Sequence, residues 1–243
     1  LRITGDLYHP LPSDISGRAW HRGVQDVPDV VTPLMKARWS RFMGEILVDQ
    51  EEYEAASAYF LSALNVLKVP IPPKKTLRIK MSKFMLRKAS TVSKLQRARK
   101  SAELLEAART YTCIGVNIEA QYQAAASIMP KVTRYPFMEL ENKYLFAIKY
   151  SLAANCPTKS GFVVACMSLA SALANEYGPC AKADSLLALT GKHLPQVTEV
   201  KSQISVRETL GQYAIMKCEY AEAEMHQNKL VWTGHFHHLR SVQ

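Results

Sequence analysis

The sequence predicts an all-α chain of tandem antiparallel helical hairpins, and three observations predict it. Apolar residues recur at three- and four-residue spacing along most of the 243 residues, and no run alternates as a strand would. Prolines and glycines fall between the periodic stretches, in VPIPP at 69–73, CPTKSG at 156–161 and YGP at 177–179. Finally, Gly44 to Leu64, GEILVDQEEYEAASAYFLSAL, reads as a helix end, a tight turn and a second helix. Gly44, Ala56 and Ala63 are small enough to let two helices touch, and Tyr53 and Phe60 are large enough to fill between them.

Taken in order, residues 1–30 carry Pro10, Pro12, Pro28 and scattered glycines that break any period. They are expected to be a linker or the tail of a preceding unit, with the helical domain spanning 31–243. Thr32 can cap a helix that starts with Pro33 in its first turn and runs to about 48. A second helix spans about 51–67 and is stopped by Val69-Pro70-Ile71-Pro72-Pro73. The third, over 74–100, is expected to bury a stripe of Leu77, Met81, Phe84, Val92 and Leu95. A fourth begins near Ser101, with Glu103 and Glu106 where the helix dipole favours carboxylates, and is expected to break near Gly115 before ending at Pro130. Further helices are expected over 137–155, 161–177, 181–189, 197–217 and 220–232.

Composition narrows the function classes. Apolar residues make up 48% and charged residues 21%, values of a folded chain with an ordinary core. The longest uncharged run, 160–175, is shorter than a membrane span and rich in Ala and Ser, so it reads as a buried helix. Five widely spaced cysteines with no CxxC fit reduced, buried thiols in a cytoplasmic protein better than a disulfide framework or a zinc site. The start carries neither a basic leader nor an apolar h-region, and a first residue other than Met suggests a fragment of a longer polypeptide.

The net charge of +10 has one source. Eleven basic residues lie between Lys74 and Lys100 with no Asp or Glu among them, leaving 20 basic against 21 acidic residues elsewhere. Lys80, Lys83, Arg87, Lys94 and Arg97 share one face of the expected helix. That face is either solvated, neutralised by acidic neighbours such as Glu51, Glu52 and Glu54 or Glu103 and Glu106, or a docking face for a polyanion. An acidic protein surface ranks ahead of RNA and anionic lipid, and against RNA the face carries no aromatics interleaved for base stacking.

Catalytic signatures are sparse. No phosphate-binding loop, dinucleotide fingerprint, HExxH, nucleophile elbow or EF-hand pattern occurs. His235, His237 and His238 form the one local group of metal-ligand types, and no nearby Cys or carboxylate completes a tetrahedral set. Cys113 has no His or Asn partner at short range and reads as a structural thiol. The expectation is a chain without catalytic activity, cofactor or metal.

The hairpin recurs. Tyr53 and Tyr220 each lie nine residues beyond a glycine, Gly44 or Gly211, and Ala56 and Ala223 lie twelve beyond. Phe60 and Ala63 continue the first copy, whereas Gln227 and Leu230 occupy those places in the second. The pattern resembles the tetratricopeptide repeat, which implies a right-handed superhelix of stacked hairpins. The order of a good hairpin, a proline-rich stop, a long basic helix and a helix beginning SAELLEAARTY is similar to the repeat region that follows the NTPase module in STAND-type predicted ATPases and soluble class III adenylyl cyclases. That resemblance implies a regulatory region whose chemistry lies elsewhere in a longer chain, and it transfers no catalytic residue. The expected partner is a protein or peptide ligand, or an upstream NTPase domain, held in a groove lined by first helices of the hairpins. Arg38, Arg41 and Glu45 are the groove candidates from the first repeat.

Overall fold

The computed structural model describes residues 31–73, 76–88, 90–129, 134–156 and 159–240, with the side chains of 76, 87, 201 and 231–240 set aside. The expected linker over 1–30 lies outside the described residues. Among those described there are ten α-helices and no strand. They are α1 (Pro33–Asp49), α2 (Tyr53–Val66), α3 (Thr76–Arg87), α4 (Ser90–Ala98), α5 (Ser101–Ile128), α6 (Phe137–Ala154), α7 (Ser160–Tyr177), α8 (Ala181–His193), α9 (Val200–Met216) and α10 (Tyr220–Arg240). A short 3₁₀ turn over Leu194–Gln196 precedes α9.

Sequential neighbours pair as α1–α2, α5–α6, α7–α8 and α9–α10. The first helices of these pairs also touch in series, α1 with α5, α5 with α7 and α7 with α9. Helices α3 and α4 stand outside the series and pack on α6. One apolar cluster runs through the array from Ala37 to Tyr213. Its densest part is the α5–α6 seam, where Tyr111 stacks on Phe146 at 4.9 Å and meets Tyr150 edge-on at 5.1 Å. The Tyr111 hydroxyl donates to the Pro70 carbonyl at 2.7 Å, which ties the proline-rich stop to the core.

Local chemistry explains the helix ends. Pro33 occupies the first turn of α1, and the Thr32 hydroxyl accepts from the Met35 amide at 3.3 Å. Two turns that the sequence aligned are the same bond for bond. Glu51 and Cys218 both take left-handed φ, 64° and 61°. The next amides reach back alike, Glu52 to the Leu47 carbonyl at 2.8 Å and Glu219 to the Ala214 carbonyl at 2.8 Å. Helix α2 ends on the same turn, with Lys68 at φ 53° and the Val69 amide reaching back to the Leu64 carbonyl at 3.0 Å, and Arg99 adds donors to the Leu67 carbonyl at 2.5 Å and to that of Lys68. One cation of the basic run therefore serves as a helix C-cap.

Glycines mark the close approaches. A Cβ on Gly44 would lie 2.5 Å from Cε1 of Phe60, so the α1–α2 seam requires the glycine. Gly115 does not break a helix as the sequence suggested. It lies in the middle of a continuous α5, against the fully buried ring of Tyr144, whose Cζ would stand 2.7 Å from an added Cβ. The same glycine-on-aromatic contact thus holds both α1–α2 and α5–α6.

The basic stretch departs furthest from expectation. It forms two helices, interrupted between Arg87 and Ser90, where the Thr91 hydroxyl donates to the Met85 carbonyl at 2.8 Å. The interruption changes which faces are buried. Val92 and Leu95 pack partly on the core, but α3 buries Ile79 and Leu86 and leaves Leu77, Met81 and Phe84 exposed.

Candidate functional site

Three places bring functional side chains together. The first is a groove along α1, α5, α7 and α9, the helices that touch in series. Two adjoining cavities of about 300 Å³ each share Glu45 from α1, Thr112 and Cys113 from α5, Val164 from α7, and Glu199 and Ser202 around the start of α9. Four successive hairpins thereby contribute to one continuous surface, because their first helices touch in series. Arg41, Phe42 and Arg109 line one end, and Val48, Asp49 and Val116 the other.

Of the groove candidates from the first hairpin, Arg41 and Glu45 line these cavities and Arg38 does not. Arg41 is only 5% exposed and is held from within. Its Nε donates to Glu106 Oε1 at 2.6 Å, it pairs also with Glu45, and its guanidinium lies 4.3 Å from the Phe42 ring centre. Arg38 Nε stands 3.6 Å from the other Glu106 oxygen and is about half exposed. Glu106 itself is buried, so α5 supplies one carboxylate to two arginines of α1. Arg41 is therefore a fastening between hairpins, while Arg38 and Glu45 present part of their surface to solvent. Arg109, 39% exposed and 4.0 Å from Glu199, is the groove cation that sequence reasoning did not select. The signal was weak, because α5, which carries Arg109, lies outside the two stretches that the sequence aligned.

Cys113 donates its thiol to Glu45 Oε1 at 3.2 Å. Burial, reinforced by the Glu45 charge, pushes this thiol far above its ordinary range, so it stays protonated and carries no nucleophilic thiolate. Cys166 is likewise pushed up by burial, to about 12. Cys218 departs from the expectation of buried thiols, being exposed on the last hairpin's turn.

The second place is a cavity of about 750 Å³ between α2 and α6, beside the proline-rich stop. Its walls mix Leu61, Ile71, Pro72, Ile114 and Ile118 with Arg78, Arg134 and a Lys143–Glu139 pair. It exists because α3 and α4, rather than α2, pack along the neighbouring part of α6.

The third is the basic stretch. Lys83 pairs with Glu141 of α6, whose other oxygen accepts from Lys182 at 3.1 Å. Burial alone would raise the Glu141 pKa, and the two lysines outweigh it and hold it below the usual carboxylate range. The acidic partner of the face is thus neither the 51–54 group nor the 103–106 group. Glu141 escaped sequence reasoning because it is 58 residues away from Lys83. Lys80, Lys94 and Arg97 are exposed, and Arg97 Nε donates to the Ser93 carbonyl at 3.3 Å. Arg87 ends α3, and its side chain lies outside those described. The His235, His237 and His238 side chains, in α10, are outside them as well.

Among the described residues, no three His, Cys, Asp or Glu side chains converge as metal ligands would. No helix among them is long and apolar enough to cross a membrane. Comparison with family models, curated proteins and solved structures gives no match to this chain.

Proposed function

We propose that this chain is a non-catalytic helical-repeat scaffold that holds an extended peptide segment in the groove along α1, α5, α7 and α9. The observation that carries the reading is the shared lining of the two cavities by residues of four successive hairpins. The shared spacing of Gly44, Tyr53 and Ala56 with Gly211, Tyr220 and Ala223, both alanines being buried, supports a tetratricopeptide-like repeat, and with it a right-handed superhelical course. The groove offers Arg109 beside Glu45 and Glu199, with Val164 and Val116 between, so its ligand is a segment of mixed charge with small apolar side chains. Such a segment belongs to another protein or to an upstream NTPase or cyclase-like module of a longer signalling polypeptide in the cytoplasm. That part of the proposal rests on the order of elements in the sequence.

The test is selection of displayed random peptides on the full 243-residue chain. Peptides binding at roughly micromolar strength are expected, and Val164→Trp, which fills the groove from α7, is expected to weaken them by at least about tenfold. Enrichment of nothing, or peptides that bind V164W as well as the unaltered chain, sinks the proposal.

A further inference from the structure

Helix α3 has two apolar faces and uses one of them. Ile79 and Leu86, 4% and 5% exposed, hold it to the body of the protein. On the opposite side Leu77, Met81, Phe84 and Met85 follow one another at helical spacing, and each is more than half exposed. Single exposed apolar residues are ordinary, but four large ones along one side of a twelve-residue helix make a continuous apolar ridge.

The charge around the ridge has one sign. Arg78 and Lys80 flank it on either side, and the Lys88 ammonium sits 4.9 Å from the Phe84 ring centre. Lys94 and Arg97 extend the positive surface onto α4. Between 76 and 100 there is no acidic residue, and Arg78, Lys80, Lys88 and Lys94 have no ion-pair partner among the described residues. Lys83, by contrast, is spent on Glu141. The sequence reading placed cations and apolar residues on opposite faces, whereas the fold exposes both together.

We propose that this ridge seats the protein on an anionic lipid bilayer. Phe84, Met81 and Leu77 enter the acyl boundary, and Arg78, Lys80 and Lys88 reach the headgroup phosphates from its two sides. Charge complementarity selects an anionic surface, and shape selects a bilayer among such surfaces. A protein helix docks into a groove with walls, whereas a single outward helix flank is a ridge, which a fluid bilayer accepts. RNA is disfavoured because Phe84 is the one aromatic ring along the ridge and offers no series of stacking platforms. This seating is separate from the peptide groove, whose residues lie on other helices.

Vesicle cosedimentation of the full chain tests the proposal. Vesicles with roughly 30 mol% phosphatidylserine in phosphatidylcholine are expected to bind it at least about tenfold better than phosphatidylcholine alone, and binding should fall between about 0.05 and 0.5 M salt. The doubly substituted Met81→Ser/Phe84→Ser chain should lose at least about tenfold with its thermal melting unchanged, since both side chains face solvent. A Phe84→Trp chain gives a readout independent of loss of binding: lipids brominated along the acyl chain should quench it only in the anionic vesicles. Absence of binding to the anionic vesicles, or unaltered binding by the Met81→Ser/Phe84→Ser chain, overturns the proposal. So does capture of a synthetic acidic amphipathic peptide by a chain that ignores those vesicles, which would assign the ridge to a protein partner.

Discussion

The first and last hairpins are built on the same turn and closed by different seams. Their turns agree in left-handed residue and in backbone bonds, and Ala56 and Ala223 are both buried twelve residues beyond the glycine. The seams diverge after that. Gly44 is pressed by a fully buried Phe60, whereas an added Cβ on Gly211 would meet His226 Cβ at an ordinary 3.6 Å. The first hairpin is also fastened outward through Arg38 and Arg41 to Glu106. The two turns are alike, and the residue that the second helix sets against the glycine, Phe60 or His226, decides how tightly each pair closes.

The largest expected effect breaks the outward fastening. Replacing Glu106 by Gln removes the buried carboxylate shared by Arg38 and Arg41, leaves Arg41 with Glu45 alone, and is expected to cost about 3 kcal/mol in urea unfolding. The glycine pair then sharpens the contrast within the seams. Gly44→Ala should destabilise by about 1–3 kcal/mol because the Phe60 ring has nowhere to move. Gly211→Ala should instead stabilise by about 0.5–1 kcal/mol, since the new methyl finds ordinary contact and the unfolded chain loses freedom. Equal effects at the two glycines would show the seams to be alike.

The smallest effect concerns His226, which packs beside Gly211 in the last seam. Burial lowers its pKa, Glu222 opposes the shift, and Lys229 and Arg207 add to it. A histidine with a lowered folded pKa contributes stability that is complete above its unfolded value, about 6.5, and is lost as pH falls through the folded value. An NMR titration should therefore find the His226 ring titrating below the usual histidine range. Hydrogen-exchange protection in α10, with the intrinsic pH dependence of exchange divided out, should fall on acidification before that in α1 and α2.

How much was legible in the sequence follows the same division. Gly44, Tyr53, Ala56, Phe60 and Ala63 announced a hairpin because all the partners lie within twenty residues. Gly115 was misread, since the aromatic that requires it, Tyr144, comes 29 residues later, beyond a long helix end. Glu106 and Glu141 each meet cations that only the stacking of distant helices brings near. Helix α3 was turned the wrong way because it has two apolar faces, and periodicity cannot say which one meets the core. Treating 74–100 as one helix aligned Leu77 with Leu95, whereas the interruption before Ser90 lets the two halves turn different sides inward.

The Arg41–Glu106 contact also bears on the order of folding. Its partners are 65 residues apart, and between them the chain leaves α2, lays α3 and α4 on α6, and returns as α5. The α1–α2 hairpin can form early from local contacts, but this fastening must wait until that long excursion has closed. Closure of so long a loop is an entropic cost that grows only slowly with length, so α3 and α4 can sit there at little expense to the array. The same ion pair thus acts as a latch, recording that the excursion has come home.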